Sequence, residues 1–331
     1  MDRLPVEILT GIAAELLSTR DVCNFRLCSP RCSSAGFPVL FRQIHVMNTV
    51  DCLEEAKILH ASSAGSSRVT KHLTIHHGSW PEAESLRIWS THPLRHGHAA
   101  ESNLGMTCAF RDYRAFVQRE ASRTSSSDAD RFLALFELFP NVSSVTISHV
   151  YHWDKGKLTN AQFTRLMSTF RIVPRFEGCV NSAVSSILPV LQRRPLVRDV
   201  TIRGLFDPST TKCINLPSVT RLRIQSLTYP TRREDVHQFL ASFPSLEELN
   251  LSGNSAGPLF GQGLPLQGVQ CPKLTRVEFT NFCTSEDELV DFVQQHGRLR
   301  LLVLEKVILY MGREASQAFA SQGAQGDDDH T

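Results

Sequence analysis

Six stretches of this chain superimpose on one template: a proline or glycine, one intervening residue, an apolar residue, two more residues, then apolar-x-apolar. In most of them a further apolar residue follows three positions on. They read Pro140-Val142-Val145-Ile147-Val150, Pro195-Val197-Val200-Ile202-Leu205, Pro217-Val219-Leu222-Ile224-Leu227, Pro244-Leu246-Leu249-Leu251, Pro272-Leu274-Val277-Phe279-Phe282 and Gly297-Leu299-Leu302-Leu304-Val307. The apolar-x-apolar pair puts two side chains on one face of a short strand, because successive residues of a strand point to opposite sides. Self-similarity of this kind marks a stacked array, in which each unit buries its apolar face against the next. A binding surface, rather than a catalytic pocket, is the expectation.

Upstream of most copies lies a stretch with apolar residues at helical spacing: Phe132 to Phe139, Val184 to Gln192, Val236 to Phe243 and Glu288 to Gln295. Proline ahead of each strand fixes the turn and ends the preceding helix. The predicted unit is therefore helix, turn, short strand, and from Pro195 onward its starts are 22 to 28 residues apart. This period resembles that of leucine-rich repeats, about 20 to 29 residues, in an irregular form without the strict asparagine or cysteine. The nearest match to that consensus is Leu249-Asn250-Leu251-Ser252-Gly253-Asn254. The resemblance implies an α/β fold: a curved leucine-rich-repeat-like solenoid over residues 47–312, with short parallel strands inside and helices outside. A seventh, degenerate copy is read at Val69-Leu73-Ile75, where one extra residue breaks the spacing. Ordinary strands of an α/β domain are the competing reading.

The first fifty residues follow another pattern. Pro5 suits the first turn of a helix, and behind it Ile8, Ile12 and Leu16 recur every four residues with Leu9, Ala13 and Leu17 alongside. Ser18-Thr19-Arg20-Asp21 matches a capping box for a second helix bearing Val22, Phe25 and Cys28. After a polar break from Ser29 to Ser34, Phe37, Leu40, Phe41 and Ile44 predict a third helical stripe. Three short amphipathic helices bury too little surface to be stable alone, so they are expected to need a partner surface.

Leu4-Pro5-Val6-Glu7-Ile8-Leu9, then Ile12, Leu16-Leu17, Asp21-Val22, Cys28-Ser29 and Phe37-Pro38-Val39-Leu40-Phe41-Arg42-Gln43-Ile44, together resemble an F-box, in the form common in filamentous fungi. The match covers residues 2 to 46; the tryptophan often found near its end is absent, and Phe41 stands in that region. The resemblance implies that the chain docks on a Skp-type adaptor, and through it on the cullin and RING subunits of an SCF ubiquitin ligase, while the repeats hold a protein substrate. It implies no covalent chemistry by the chain itself. Carried over by position, Leu4, Pro5, Ile8 and Leu9 are the first adaptor contacts. Ile12, Leu16, Val22, Phe25, Leu40, Phe41 and Ile44 either extend that interface or pack the helices together. A non-degradative scaffold with an F-box, or a helical cap closing the array, is the alternative.

Substrate contacts are expected on the strand positions that alternate with the buried ones. Positive charge gathers there at Arg203, Arg221, Arg223 and Arg276, with Gln225, Asn250 and Glu278 beside them, a pattern suited to an acidic or phosphorylated segment. A net charge of +2 over 331 residues argues against a nucleic-acid surface. No apolar run is long enough to predict a membrane span, and the opening Met1-Asp2-Arg3-Leu4-Pro5 is unlike a secretory leader. Nine scattered cysteines suit reduced thiols of the cytosol or nucleus. The segment 313–331, with Asp327-Asp328-Asp329, is too poor in apolar residues to fold and is predicted to be disordered.

No cofactor or metal is expected. His72, His76 and His77, then His92, His96 and His98, form the richest cluster of potential ligands. However, Pro93 and Gly97 oppose the continuous helix that would pair His92 with His96. An enzyme with a histidine site between Gly78 and Asp130 is the third reading, disfavoured because no phosphate loop or nucleophile elbow accompanies it. Cys23, Cys28 and Cys32 lack zinc-knuckle spacing and are expected to be small apolar fillers. Between Gly78 and Asp130 the template lapses. Cys108 to Val117 predicts one amphipathic helix there, and the serine-rich stretch Ser122 to Asp130 predicts a loop. Asn160 to Phe176 is similarly irregular.

Overall fold

Each template line begins with the same turn. The N–H of the first apolar residue donates to the carbonyl of the residue before the proline or glycine: Val142 to Phe139, Val197 to Arg194, Val219 to Leu216, Leu246 to Phe243, Leu274 to Cys271 and Leu299 to His296, all over 2.8–3.3 Å. Proline thus occupies the second position of a four-residue turn, where its fixed φ fits. At the ninth residue after it the backbone takes positive φ in four of the six copies, within the strand at Gly204 (122°) and Ser226 (68°) and just beyond it at Asn281 (60°) and Lys306 (51°).

These features belong to a computed structural model that describes residues 4–16, 18–63, 65–91, 103–150, 180–211, 214–227, 233–253, 262–263 and 268–310. Asn254, His92, His96, His98, the Asn160 to Phe176 stretch and the 313–331 tail lie outside the described residues. The chain forms two compact units, Met1–Gly178 and Cys179–Thr331, and both are α/β with parallel strands.

The first unit opens with α1 (Val6–Ala14), α2 (Thr19–Leu27) and α3 (Pro30–Phe41). Ser18 caps α2 by accepting from the Asp21 N–H at 3.1 Å. The stretch Ser29 to Ser34, expected as a break, starts α3 instead. Ser29 accepts from the Cys32 N–H at 3.2 Å and Pro30 fills the first helical position, so the polar residues are a cap and a first turn. Helix α3 stops at Phe41, and Ile44, expected on the same helical stripe, lies in strand β1 (Gln43–Met47).

Next come α4 (Cys52–Ser62), α5 (Ser66–Val69), β2 (His72–His77), α6 (Leu86–Ser90), α7 (Asn103–Ala121), α8 (Ser125–Leu138) and β3 (Ser144–His149). Strands β1, β2 and β3 run parallel, with Ile44, Leu73 and Val145 in one register and Val46, Ile75 and Ile147 in the next. All six side chains are buried. The degenerate copy is resolved here. The slot filled by Val142 in the line of β3 is filled before β2 by Thr70, fully buried, whose hydroxyl donates to the carbonyls of Phe41 (3.0 Å) and Ser66 (2.8 Å). A satisfied threonine replaces the apolar residue, so the spacing is intact.

The lapse between Gly78 and Asp130 has a core of its own. Trp89, Tyr113, Phe116, Met47 and Val150 are buried together, and the Tyr113 hydroxyl donates to the Pro81 carbonyl. The helix expected around Cys108 to Val117 is α7. Most of Ser122 to Asp130, expected as a loop, is instead the start of α8. Thr124 accepts from the Ser127 N–H and Ser127 Oγ accepts from the Thr124 N–H, both at 3.2 Å, a reciprocal cap.

The second unit contains α9 (Asn181–Leu191), β4 (Asp199–Phe206), β5 (Arg221–Leu227), α10 (Arg233–Ala241), β6 (Glu248–Gly253), β7 (Gln262–Gly263), β8 (Arg276–Thr280), β9 (Phe282–Ser285), α11 (Glu286–Gln295), β10 (Leu301–Glu305) and β11 (Ile308–Tyr310). Strands β4, β5, β6, β8 and β10 form neighbouring parallel pairs in that order. At each junction one carbonyl serves two consecutive N–H groups of the next strand: Arg198 serves Thr220 and Arg221, Thr220 serves Glu247 and Glu248, Glu247 serves Thr275 and Arg276, and Thr275 serves Arg300 and Leu301. The apolar template residues on β5, β6 and β8 are buried. On β4 the third is not Leu205 but Phe206, because the register shifts between Arg203 and Phe206 around Gly204. On β10, Leu301 and Leu304 are exposed.

Gly253 ends β6 against the next unit of the array. A Cβ added there would sit 2.4 Å from the Asn281 carbonyl oxygen, and Asn281 is itself held by its N–H bond to the Glu305 carbonyl at 3.0 Å. Gly253→Ala is therefore expected to destabilise by about 1–3 kcal/mol, the range for forced overpacking, although a Gly-to-Ala exchange at a compatible site stabilises. Urea unfolding followed by far-ultraviolet circular dichroism checks this; an unchanged or raised midpoint would refute it.

Candidate functional site

Two surfaces carry the residues singled out in the sequence, and each is built by a short-range pattern. On α1 the pattern is a helix apolar on two sides. Leu9 and Ala13 are wholly buried and pack with Phe25, Cys32 and Ala35, with Leu16 and Val39 partly buried against them. Leu9, expected among the first adaptor contacts, is thus a packing residue. One position back, Ile8 and Ile12 share the outer side and are 53% and 36% exposed, with Leu4 and Val6 exposed beside them. Four apolar side chains on solvent from one nine-residue helix and its lead-in exceed the scattered apolar residues of an ordinary surface.

The other predicted residues of this region divide. Pro5 precedes the helix, exposed, and its carbonyl accepts from the Leu9 N–H at 3.1 Å. Val22, Phe25 and Ile44 are buried, while Leu40 and Phe41 are half-buried. Sequence reasoning missed Val6 and Leu27, the latter 85% exposed on α2; Leu27 lies opposite the buried Val22 and Phe25 of its own helix, which is the signal that marks it, whereas Val6 is on the side of Leu9 and Ala13 and is exposed at the start of α1.

In the second unit, strand alternation sets out a grid. One row across the sheet reads Asp199, Arg221, Glu248, Arg276; the next reads Thr201, Arg223, Asn250, Glu278; a third reads Arg203, Gln225, Ser252, Thr280. Neighbours in a row are about 4.8 Å apart, the spacing of paired strands. The first row alternates in sign. Arg221 makes a two-point contact with Asp199, its Nη2 lying 2.6 Å from Oδ2 and its Nε bonding Oδ1. Those hydrogen bonds raise the guanidinium pKa above its usual value. Arg276 lies 3.8 Å from Glu278 across the rows.

A cavity of about 270 Å³ opens on this grid, lined by Arg221, Arg223, Gln225, Asn250, Arg276 and the carboxylates of Glu248 and Glu278. Arg223 is exposed and, among the described residues, has no carboxylate within ion-pair distance; the same holds for Arg203. Six of the seven residues expected to contact substrate line this cavity. Arg203 does not, although it is on the same face. Glu248, an acid expected on this face but not among the seven, lines the cavity as well; its neighbours in the row are fixed by the β5–β6 register, which no local pattern in the sequence supplies.

The histidines of β2 are held in polar contacts. His45 Nδ1 is 3.0 Å from His76 Nε2, with the rings stacked at 5.3 Å, and Asn48 Nδ2 is 3.1 Å from His77 Nδ1. Among the described residues, no group of three histidine, cysteine, aspartate or glutamate side chains is placed to hold a metal ion. Cys32 is a buried apolar filler as expected, whereas Cys23 and Cys28 are exposed on α2 and its C-cap, where no packing is available. Burial pushes the thiols of Cys52 and Cys271 up to about 11, so neither is a nucleophile at neutral pH. Among the described residues no helix is long and apolar enough to cross a membrane.

Comparison with known proteins finds no protein-family model that matches the chain and no matching curated protein.

Proposed function

We propose that the chain is the substrate-recognition subunit of an SCF-type cullin-RING ubiquitin ligase, with the outer side of α1 docking on a Skp-type adaptor and the polar sheet face of the second unit receiving the protein target. The observation that carries this reading is the doubly apolar α1. Its inner stripe already packs the three-helix bundle, yet Leu4, Val6, Ile8 and Ile12 still face solvent. A surface helix needs only one apolar stripe for its own fold; the second is explained by a partner. The opening residues resemble an F-box in their order and spacing, and an F-box followed by leucine-rich-type repeats would make a coherent receptor. The chain then acts by proximity, raising the effective concentration of substrate lysines near the charged conjugating enzyme.

The test follows from which residues are free. Leu9→Asp would unfold the bundle and prove nothing, whereas Ile8→Asp with Ile12→Asp alters only the outer side. Burying an isoleucine contributes about 1.5–3 kcal/mol, so the double variant is expected to lose adaptor affinity by about 100-fold or more with its circular dichroism unchanged. Purified adaptor titrated against both forms measures this, and ubiquitination of a target in cells is expected to vanish with it. Unchanged adaptor affinity would remove the ligase reading.

A further inference from the structure

The described array ends on β10, β11 and the helix α11 ahead of them, and this end is apolar in every layer. At β4, β5, β6 and β8 the following strand covers the forward edge. Among the described residues β10 pairs with β8 alone and β11 with β9 alone. Leu301 and Leu304 on β10, Ile308 and Leu309 on β11, and Val290 and Val293 on α11 are exposed. Topology sets which way the helix faces. Leu289 and Phe292 are buried, Phe292 against Phe279 of β8, and a right-handed crossover from β8 to β10 then turns the flank bearing Glu286, Val290 and Val293 toward the uncovered edge.

That edge is built for pairing. The Leu301 N–H donates to the Thr275 carbonyl and the Glu305 carbonyl accepts from the Asn281 N–H, both on the β8 side. Peptide groups alternate along a strand, so the N–H and C=O of Leu302 and Leu304 point away from β8. The strand Leu301–Glu305 contains no proline, lysine or bulge, the usual guards of an exposed edge.

We infer that this end of the array pairs with the same end of a second copy of the chain, the two β10 strands running antiparallel about a two-fold axis at Val303. In that register Leu302 and Leu304 of one copy lie opposite Leu304 and Leu302 of the other, and all of their outward N–H and C=O groups are used. The apolar layer of the array then runs on through the axis, with Val290 and Val293 of both copies beside it. Charge argues for a second copy rather than an unrelated partner. A helix between two parallel strands runs opposite to them, so the N-terminus of α11 is level with the end of β10. Glu286, Asp287, Glu305 and Lys306 gather there, a net of two negative charges, while Arg298 and Arg300, both exposed, lie at the start of β10. Antiparallel pairing sets the start of each strand beside the end of the other, so two positive charges meet two negative ones on both sides of the axis. The inference goes beyond the adaptor reading and does not depend on it.

Sedimentation equilibrium of the purified full-length chain tests it, with a dimer expected at about 10 µM. Val290→Lys with Leu304→Lys is expected to be monomeric there with its circular dichroism unchanged. Arg298→Glu with Arg300→Glu is expected to weaken the dimer at least tenfold, and adding Glu286→Arg and Asp287→Arg to restore it. Within one chain these two groups lie at opposite ends of β10, about 17 Å apart, so the rescue reports a contact between copies. A monomeric full-length chain would overturn the inference; a form ending at Tyr310 that then dimerises would identify residues 311–331 as the occupant instead. Reversal without rescue, or a dimer that survives Val290→Lys with Leu304→Lys, would overturn it as well. Ile8→Asp with Ile12→Asp is expected to leave the dimer intact, and its loss there would move the contact to α1. Adaptor titration reads α1 alone, so a failure here leaves that result standing.

Discussion

Replacing Arg123 with methionine is expected to lower the stability of the first unit by about 3–5 kcal/mol, the cost of breaking a buried charged network by removing one member. The guanidinium has five N–H groups, and all five are used. Nε and Nη2 donate to the two carboxylate oxygens of Asp128 at 3.1 and 2.7 Å, Nη1 to Glu120 at 2.6 Å, and Nη1 and Nη2 to the carbonyl and side-chain oxygen of Asn48 at 2.9 and 2.6 Å. Burial alone would push its pKa down, but Asp128 and Glu120 outweigh that and hold it above the usual value. One side chain thus ties the end of β1 to the junction of α7 and α8, and its loss leaves Glu120 and Asp128 buried with part of their compensation gone. Trp80 and Trp89 belong to the core of the first unit, and the sequence has no tryptophan beyond residue 178, so urea unfolding followed by tryptophan fluorescence reads this unit. Adding Glu120→Gln to Arg123→Met is expected to recover part of the loss, because the charge stranded on Glu120 is then gone while Asp128 keeps its pair with Arg131. A midpoint within experimental error of the parent would show that the network contributes nothing.

What could be read from the sequence follows the range of the interactions involved. The six template lines are local: proline at the second turn position and apolar residues two apart determine turn, strand and buried face without reference to anything distant. The helices ahead of the strands are legible for the same reason. Errors arise where a local signal has two meanings. Ser29 to Ser34 and Ser122 to Asp130 are serine-rich, and serine favours both loops and helix starts; the cap partners Cys32 and Ser127 decide for helix. Ile44 continues the spacing of a helical stripe but begins a strand, since pairing with β2 outweighs the periodicity of three residues before it. Thr70 was invisible as a core residue because its burial depends on two carbonyl acceptors, one of them 29 positions away.

The candidate surfaces show the same division. Strand alternation alone puts Arg203, Arg221, Arg223 and Arg276 on one face. That Arg221 belongs to Asp199 while Arg223, among the described residues, has no ion pair depends on the register of β4, β5 and β6, which links residues 22 to 27 positions apart. On α1 the sequence shows one broad apolar face but not which part of it packs inward; α2 and α3 decide it. Arg123 lies 75 positions from Asn48, and nothing in its neighbourhood announces the contact.

Acidification is expected to weaken the same region through His77. The Oδ1 of Asn48 accepts from Arg123, which turns the Asn48 amide N–H toward His77 Nδ1 at 3.1 Å. Nδ1 must therefore be an acceptor, and the buried ring is neutral with its proton on Nε2. Burial, then the charges of His149 and Arg123, lower its pKa to about 4, with Asp128 opposing. In the unfolded chain the group titrates near 6.5. As pH falls from 6.5 toward 4 the unfolded chain takes up a proton that the folded chain does not, so stability is complete above this window and is lost through it. The difference corresponds to about 2 kcal/mol between pH 7.5 and pH 5, and about 3 kcal/mol once both states are protonated. His77→Gln keeps an acceptor for Asn48 and removes the titration, so its tryptophan-monitored stability is expected to vary less with pH by that amount. Parallel pH profiles for the two forms would show that the ring takes up its proton without cost, and that the contact with Asn48 does not fix its charge state.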